Sequence, residues 1–287
     1  MSEKFSCPGD LELLNALVSL FPDSSKSTLR SWVSAGRVSV DQVQVKNAKS
    51  IVFKDQIISI GQKARLVENH FPILYSDPFL VVIDKPEGLL SVSTAFEKSE
   101  TAFAYLKRKY HPKPVYVVHR LDQETSGVMV FALTEKCLEA LKSTFEKHEI
   151  ERRYVAIVEG VLSEKKGIWQ SYLHENSNYV VRVTQDPSEG ELAITHYAVK
   201  ATYRSAYSWL DLKLETGKKN QIRVHCQHAG HSVVGDKKYG ATCNPLKRLG
   251  LHAYMLSFKH PITGKAMHFK SPIPESFYKL LHITKES

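Results

Sequence analysis

Residues 127–133 form an almost continuously apolar run, Gly-Val-Met-Val-Phe-Ala-Leu. A strand with one face in water alternates apolar and polar side chains, whereas a run without alternation indicates a strand buried on both faces. The run is much too short to span a bilayer, which takes roughly 20 apolar residues. It therefore predicts a central strand that lies inside a sheet.

Further strands and a few helices are predicted around this run. Residues 208–214 alternate strictly, which predicts a strand with one face in water. The other candidate strands are residues 80–83, 115–119, 154–158, 180–184, 194–199 and 252–258, and the candidate helices are residues 135–147, 221–229 and 276–282. Many strands with few helices predict an α+β domain around a largely antiparallel mixed sheet, and we place this domain at residues 68–287.

A smaller α/β module is predicted ahead of this domain, at residues 11–67, after a tail at residues 1–10. The candidate elements of the module are helices at residues 11–21 and 25–36, a short hairpin at residues 38–45 and a strand at residues 57–60. Ser24 or Ser25 can cap the second helix, and Gly36 can end it.

The chain is basic, with a formal net charge of +9 and a pI of about 9.2. Lysine and arginine bind polyanions because they displace counterions from phosphates. The charge therefore favours RNA or DNA as a partner, although scattered lysines are also typical of a solvated surface.

The sequence carries no signal for export, for membrane insertion or for a metal site. Residues 1–10 lack the apolar core of a secretory signal, and no apolar run approaches about 18 residues. The four cysteines are scattered without a CxxC pair, and the segment His225-Cys226-Gln227-His228 has no second cluster to complete a zinc site. We expect a cytoplasmic protein that binds neither a metal nor a membrane.

A loop rich in functional groups joins two predicted strands, and it reads His119-Arg120-Leu121-Asp122-Gln123-Glu124-Thr125-Ser126-Gly127. Loops held by a rigid sheet are frequent places for active sites. Asp122 could act in catalysis there, but the spacing also fits a polar turn in which Asp122 bonds its own backbone. The residues by themselves leave both interpretations open.

A second cluster opens a predicted helix, and it reads Glu215-Thr216-Gly217-Lys218-Lys219-Asn220-Gln221-Ile222-Arg223-Val224-His225. Asn220 could cap the helix, Ile222 could pack inward and Arg223 could project towards a cleft. The alternative is a basic loop followed by a surface arginine. Tyr154, on another predicted strand, is by itself typical of a half-buried structural tyrosine.

Five motifs in this order resemble those of the RluA-type pseudouridine synthases. They are Asp84-Lys85-Pro86-Glu87-Gly88, His119-Arg120-Leu121-Asp122 with Thr125-Ser126-Gly127, Arg153-Tyr154, Gln221-Ile222-Arg223-Val224-His225, and Gly235-Asp236-Lys237-Lys238-Tyr239-Gly240. The segments Leu251-His252-Ala253-Tyr254 and His260-Pro261 fit the same family, so the resemblance covers residues 74–281. The HRLDxxTSG motif is long and specific, and it favours the functional interpretation of this loop.

The resemblance implies a role for each matching residue. Asp122 is expected to be the catalytic aspartate, Tyr154 the tyrosine that stacks on the target uracil, and Arg223 the basic residue paired with the aspartate. Arg120 is expected to enter the RNA stack as the uridine leaves it, and Ile222 to form an apolar wall of the pocket.

Other substrate contacts are implied for His119 and Lys218. The loop before the second helix motif reads Thr-Gly-Lys-Lys-Asn, where Thr-Gly-Arg-x-His is common in the family. Lys218 thus keeps the charge without the forked geometry of arginine, and Asn220 replaces an imidazole.

The N-terminal module also resembles a known unit. The stretch Ser27-Thr28-Leu29-Arg30-Ser31-Trp32-Val33 through Gly36-Arg37-Val38 is similar to the αL RNA-binding module of a small-subunit ribosomal protein. The resemblance implies that Lys26, Arg30 and Arg37 contact phosphates, with Lys46 and Lys49 adding to the charge. A solvated basic face is the alternative.

The two resemblances imply an isomerase that converts specific uridines of structured RNA to pseudouridine. The reaction moves the bond to ribose from a uracil nitrogen to a carbon without oxidation or hydrolysis, so we expect no cofactor. Large-subunit ribosomal RNA is the expected substrate, with transfer RNA as the alternative, and the protein is expected to be a monomer. Two other classes stay open: a non-catalytic RNA-binding protein that assists ribosome assembly, and a metal-dependent nuclease or deaminase.

Overall fold

A computed structural model describes residues 3–22, 24–34, 36–45, 47–61, 71–93, 101–177 and 179–283. The described residues form two compact units, one before residue 71 and one from residue 71 onwards. The predicted boundary between residues 67 and 68 lies outside the described residues, and so does Lys46.

The first unit packs two helices against short strands. The helices are α1 (Leu13–Leu20) and α2 (Lys26–Ser34), and the strands are β1 (Glu3–Ser6), β2 (Leu11–Glu12), β3 (Val38–Val40), β4 (Val43–Gln44), β5 (Ile51–Val52) and β6 (Ile57–Ile60). One sheet has the order β1-β6-β3-β4, and β2 pairs with β5. The two helices, the hairpin and the following strand that the sequence predicts are all present.

Two details of this unit refine the sequence analysis. The Ser25 hydroxyl accepts a hydrogen bond from Thr28 N at 3.1 Å, so Ser25 is the residue that caps α2. The prediction of a tail at residues 1–10 is wrong in part, because this segment contains β1, which pairs antiparallel with β6. The strand forms because Phe5 and Cys7 pack onto the apolar core of the unit.

The second unit is built on one large sheet. Its strands are β7 (Ile73–Ser76), β8 (Leu80–Lys85), β9 (Tyr116–Val117), β10 (Ser126–Ala132), β11 (Glu151–Glu159), β12 (Lys166–Glu175), β13 (Val181–Thr184), β14 (Glu191–Tyr203), β15 (Tyr207–Leu214), β16 (Leu251–Lys259) and β17 (Ala266–Lys270). Its helices are α3 (Ala102–Tyr110), α4 (Glu135–Glu146), α5 (Gln221–His228) and α6 (Glu275–Leu281), with a 3₁₀ helix at Lys237–Tyr239.

The strand order in this sheet is β13-β12-β14-β15-β11-β16-β10-β8-β7, with β17 on β16 and β9 on β10. The pairing of β10 with β16 is parallel, and the other pairings are antiparallel. The predicted α+β domain around a largely antiparallel mixed sheet is therefore confirmed.

Strand β10 is the buried central strand that its apolar run predicts. Every one of its residues is buried. Phe131 belongs to a core cluster that includes Leu106 of α3, while Val130 belongs to another that includes Leu141 of α4. Helices thus cover both faces of β10, which explains why its sequence does not alternate.

Strand β15 departs from its prediction. Its strict alternation predicts one face in water, yet Trp209 on that face is buried. The reason is tertiary, because Trp209 packs against Tyr278 of α6 at a ring distance of 5.0 Å and shares a core cluster with Phe277.

Several strands and one helix of the second unit were not predicted from the sequence, namely β7, β12, β17 and α3. Helix α3 ends in the basic run Lys107, Arg108 and Lys109, which masks the apolar pattern of its buried residues Ala102 and Leu106. Strand β12 exposes every second residue along its first half, so its sequence lacks a clear apolar stripe.

Gly127 lies in close contact with β16. Its partner across the parallel pair is Ala253, and its φ of 122° is in the region that favours glycine. A Cβ atom at this position would lie 2.1 Å from Ala253 O. The close approach of the two strands therefore requires glycine, five residues after Asp122.

We expect Gly127→Ala to lower the free energy of unfolding by about 2–4 kcal/mol, because steric overlap adds to backbone strain. Urea denaturation followed by circular dichroism measures the change. Gly264→Ala is the matched control, since Gly264 also has a positive φ but no atom within 4 Å of its built Cβ. The control should lose about 1 kcal/mol, and equal losses in the two variants would contradict the steric explanation.

Candidate active site

The loop between β9 and β10 carries Asp122, and its backbone is fixed on both sides of that residue. On one side, the Ser91 hydroxyl accepts a hydrogen bond from Leu121 N at 3.1 Å and donates one to Leu121 O at 2.6 Å. On the other side, Gln123 O accepts a hydrogen bond from Gly88 N at 2.8 Å. The segment after β8 thus fixes the point from which the Asp122 side chain projects.

A buried lysine strengthens this attachment. Lys85 Nζ donates to Gln123 O at 3.2 Å, and to Pro86 O and Leu89 O at 2.9 and 2.7 Å. Burial lowers the pKa of Lys85 to about 7, although the charge of Asp122 acts in the opposite direction. The Lys85 side chain thus joins the segment after β8 to the loop that carries the Asp122 carboxylate.

The start of α5 is fixed by the side chain of Gln221. Its Oε1 atom accepts hydrogen bonds from Thr216 Oγ1 at 2.8 Å and from Lys218 N at 2.9 Å, and its Nε2 atom donates to Ile194 O of β14 at 3.0 Å. These bonds hold the loop before α5 against the sheet. They thereby set the position of Arg223, which lies on the first turn of the helix.

The side chain of Arg223 is buried among three carboxylates. Its Nε and Nη2 atoms donate to Asp236 at 2.6 and 2.7 Å, while Nη1 lies 3.2 Å from Asp122 Oδ2 and 3.7 Å from Glu124 Oε2. The forked contact with Asp236 fixes the plane of the guanidinium and leaves Nη1 for Asp122. Burial opposes the charge of Arg223, but the hydrogen bonds and charge of Asp236 outweigh it and raise the Arg223 pKa.

Asn220 lies directly before α5 with a left-handed backbone, at a φ of 54°. The prediction that Asn220 caps the helix is wrong, because its side chain turns away from the helix end towards Asp122 and Tyr239. With the amide oriented to satisfy its neighbours, Nδ2 lies 2.7 Å from Asp122 Oδ2 and Oδ1 accepts from the Tyr239 hydroxyl at 2.9 Å.

The Asp122 carboxylate therefore faces Arg223 and Asn220. The local turn is closed by backbone atoms, since Thr125 N donates to Asp122 O at 3.1 Å. The structure therefore does not support the alternative in which the Asp122 side chain bonds its own backbone. The side chain keeps 24% of its surface exposed, which leaves the carboxylate open to a ligand.

A cleft of about 380 Å³ opens over this carboxylate. Its lining consists of Arg120, Leu121, Asp122, Thr125, Tyr154, Leu214, Lys218, Asn220, Gln221, Ile222, Arg223 and Leu251. Tyr154 and Ile222 supply the aromatic and apolar surface that the sequence predicts there, and burial raises the pKa of the Tyr154 phenol, which keeps it neutral.

Two basic residues predicted to bind the substrate also line the cleft. Arg120 is exposed next to Asp122, and Lys218 lies in the loop before α5. Lys218 Nζ donates to Glu191 Oε1 at 2.6 Å, so part of its charge is compensated within the protein.

His119 does not line the cleft. Its Nε2 atom accepts a hydrogen bond from Val130 N at 3.1 Å, and its ring packs on Phe145 of α4 at 4.9 Å. Burial and the neighbouring charge of Arg152 lower the His119 pKa to about 3, so the ring is neutral. The structure gives His119 a contact with the sheet, and its contact with substrate stays a prediction.

Three further predicted contacts lie in the first unit. Lys26 and Arg30 are exposed on α2. Arg37 is half-buried, because its guanidinium packs over the Trp32 ring at 5.0 Å and its Nε atom donates to Gly61 O at 3.3 Å. Desolvation lowers the Arg37 pKa from its ordinary value.

Sequence reasoning missed the role of two side chains in the site. Asp236 and Tyr239 lie in the fifth motif, but the motif alone gave them no partner. The available signal was that one short loop contains both an acid, Asp236, and an aromatic residue, Tyr239. Their partners Arg223 and Asn220 lie more than a dozen residues away, so no local spacing revealed the contacts.

Within the described ranges, no cluster of three or more His, Cys, Asp or Glu side chains could hold a metal ion. In the same part of the chain, no helix has the length and apolar character needed to cross a bilayer.

The site combines an ion-paired carboxylate, a neutral aromatic ring and an apolar wall in one cleft. The carboxylate can act as a nucleophile or as a base, and the Arg223 guanidinium lies 3.2 Å from it as its counter-charge. The aromatic ring can stack on a planar base. Such a set suits chemistry on a nucleoside.

The pattern of the family described as RNA pseudouridylate synthase matches residues 79–228, just over half of the chain. The chain is 32% identical over 295 residues to ribosomal large subunit pseudouridine synthase D of Haemophilus influenzae, with coverage of 94% of this chain and 90% of that protein. It is 34% identical over 297 residues to the protein of the same name from Pasteurella multocida, with the same coverage.

Solved structures agree with this relationship. Human RNA pseudouridylate synthase domain containing 4 matches with a TM-score of 0.60 and 25% identity, over 73% of this chain and 91% of that one. Human RNA pseudouridylate synthase domain containing 1 shares the fold, with a TM-score of 0.59 and 23% identity over 71% and 84% of the two chains. The chain belongs to the RNA pseudouridylate synthase family, as its resemblance to the RluA-type enzymes predicted, and it is a pseudouridine synthase.

Proposed function

We propose that this enzyme converts uridines of large-subunit ribosomal RNA to pseudouridine, with Asp122 as its essential carboxylate. The observation that carries the proposal is the contact of 3.2 Å between Arg223 Nη1 and Asp122 Oδ2 at the base of a cleft that also holds Tyr154. Relatives with 32% and 34% identity are named for large-subunit ribosomal RNA, which supports the choice of substrate.

The reaction breaks the bond between a uracil nitrogen and ribose, and it forms a bond between a uracil carbon and the same ribose carbon. The uracil carbon loses a proton and the nitrogen gains one, so atoms and charge balance without a reagent. Asp122 starts the reaction by attacking the sugar, by attacking the base or by removing a ribose proton. Each route needs an ionised carboxylate, and Arg223 is its partner in an ion pair at 3.2 Å.

The uracil stays in the cleft between cleavage and reattachment. Tyr154 stacks on its ring and Ile222 forms the wall against which it turns. The detached base carries negative charge, which the basic side chains at the cleft stabilise.

The arrangement of acids differs from that of a glycoside hydrolase. Such enzymes place two carboxylates on either side of the bond, so that one can activate a water. Glu124 is the acid next to Asp122 in sequence, but it lies on the same loop, 3.7 Å from Arg223, and does not line the cleft. This supports isomerisation over hydrolysis.

The target uridine must leave its helix to reach Asp122. Removing a base from the stack costs a few kcal/mol, and an inserted side chain recovers part of that energy. Arg120 is exposed beside the cleft and is the residue that we assign to this insertion.

The first unit serves as an RNA-binding module in this proposal. Lys26 and Arg30 are exposed on α2, and Lys49 is exposed on the loop before β5. Positive side chains of this kind bind RNA through phosphates, independently of sequence. Arg37 contributes less, since its guanidinium is engaged with Trp32 and Gly61.

We expect Asp122→Asn to abolish pseudouridine formation on a large-subunit ribosomal RNA transcript, because the substitution removes the carboxylate and keeps its volume. The affinity for RNA should stay within about threefold, since many phosphate contacts supply it. Asp186→Asn, at an exposed acid in the turn after β13, is the matched control and should turn over normally. If purified Asp122→Asn forms pseudouridine at the wild-type rate, the assignment is refuted.

We expect turnover to survive exhaustive dialysis against a chelator, without added nucleotide. The physical reason is that the reaction needs an ionised carboxylate and a retained base, both of which side chains supply. The measurement compares rates before and after dialysis on RNA whose fold is verified. A loss that one divalent ion restores at constant RNA fold would contradict the expectation.

The combined variant Lys26→Gln, Arg30→Gln and Lys49→Gln should bind long ribosomal RNA more weakly and with a shallower salt dependence. If all three contact phosphate, the slope of log affinity against log salt should fall by about two to three. The control neutralises three exposed lysines of the second unit, Lys136, Lys142 and Lys279. Slopes that match in the two variants would mean that the basic face of the first unit is merely solvated.

A further inference from the structure

We propose that Asn220 is a positioning residue for Asp122, whose amide sets the orientation of the carboxylate while Tyr239 sets the orientation of the amide. This inference rests on the proposed function, in which Asp122 is the essential carboxylate. It concerns a position where the chain departs from the common family pattern, so the family resemblance does not supply it.

The backbone of Asn220 is arranged to send its side chain into the site. The residue occupies the N-terminal cap position of α5, where an asparagine would normally bond the first turn of the helix, but its side chain makes no such bond. Its φ of 54° is left-handed, a conformation that asparagine tolerates better than most residues. The side chain is directed away from the helix end and is buried in the protein.

The chemistry of the neighbours selects one orientation of the amide. If Oδ1 faced the site, Arg223 Nη1 could donate to it at 3.3 Å, but the oxygen would then face the Asp122 carboxylate. In the other orientation, Nδ2 donates to Asp122 at 2.7 Å from Oδ2 and 3.2 Å from Oδ1, and Oδ1 accepts from the Tyr239 hydroxyl at 2.9 Å. The first orientation also lets Nδ2 donate to the Tyr239 hydroxyl at 2.9 Å, but it places the amide oxygen 2.7 Å from a carboxylate oxygen. The second orientation removes that repulsion and places a donor against the carboxylate.

The Asn220 amide and the Arg223 guanidinium restrain the Asp122 carboxylate in different ways. Arg223 contacts one carboxylate oxygen, Oδ2, through one nitrogen at 3.2 Å. This contact pairs the two charges but permits the carboxylate plane to rotate. Asn220 reaches both oxygens, so it resists that rotation. A carboxylate held in one plane presents the same lone pair to the substrate in each encounter.

Tyr239 completes the arrangement. It is buried, and its ring lies under the guanidinium of Arg223 at 5.1 Å, so its hydroxyl is held in place. Burial raises the pKa of Tyr239, which keeps the hydroxyl protonated and able to donate to the amide. The donor to Asp122 is thus oriented by a second residue from a separate chain segment.

The test is single-turnover kinetics with Asn220→Gly, which keeps the left-handed backbone and removes the amide. The readout is release of tritium from the uracil carbon that forms the new bond, on a large-subunit ribosomal RNA transcript. We expect the rate at saturating enzyme to fall about 100-fold, because a misplaced reacting group costs that order of rate. The enzyme concentration at half-maximal rate should stay within about threefold, since phosphate contacts set it.

Two further variants separate positioning from a structural role. Asn220→His restores an N–H donor on a residue that tolerates left-handed backbone, and it should react about tenfold faster than Asn220→Gly. Tyr239→Phe leaves residue 220 and its backbone unchanged, and it should lower the rate about threefold to tenfold by freeing the amide to rotate. The melting temperatures of all three variants should lie within about 5 °C of wild type.

The outcomes distinguish this inference from the proposed function. An Asn220→Gly variant that reacts within about threefold of wild type overturns the inference, and so does a rate loss that follows the loss of melting temperature across the three variants. If wild type forms pseudouridine and Asp122→Asn does not, such a result leaves the proposed function intact. If wild type forms none on any cellular RNA, the proposed function fails first.

Discussion

A buried guanidinium needs hydrogen-bond acceptors in place of the water that it has lost, and Arg223 finds them in carboxylates. Asp236 supplies two of its contacts and Asp122 a third. These acids come from different parts of the chain, the loop before β10 and the segment before the 3₁₀ helix. One buried charge therefore holds three segments at a fixed distance from one another, and the position of the Asp122 carboxylate follows from it.

The three acids around Arg223 differ in exposure, and this difference separates their roles. The side chain of Asp236 is fully buried and forms an ion pair with Arg223 at 2.6 Å. The side chain of Glu124 is 54% exposed and lies farther from the guanidinium, at 3.7 Å. Asp122 lies between these extremes at 24%. It is buried enough to be held by Arg223 and exposed enough to meet a ligand in the cleft.

The sequence alone is informative wherever a pattern reports on its own neighbourhood. The apolar run of β10 predicts a strand covered on both faces, and that is how the strand is built. The helices α4 and α5 follow from local periodicity and end markers. Asp122, Tyr154 and Arg223 follow from the order of long, specific motifs, and the structure brings all three to one cleft. The motif order was enough to indicate the family and the isomerase activity.

Only the tertiary structure decided which side chains meet across the fold. It placed Asn220 on Asp122 and Asp236 on Arg223, gave His119 a backbone partner in the sheet, and covered Trp209 with a helix. The physical reason is that a side chain's partner depends on which distant segments the sheet brings together. Local patterns encode how a segment folds and which face it buries, but the partner of a buried polar group is set by long-range packing.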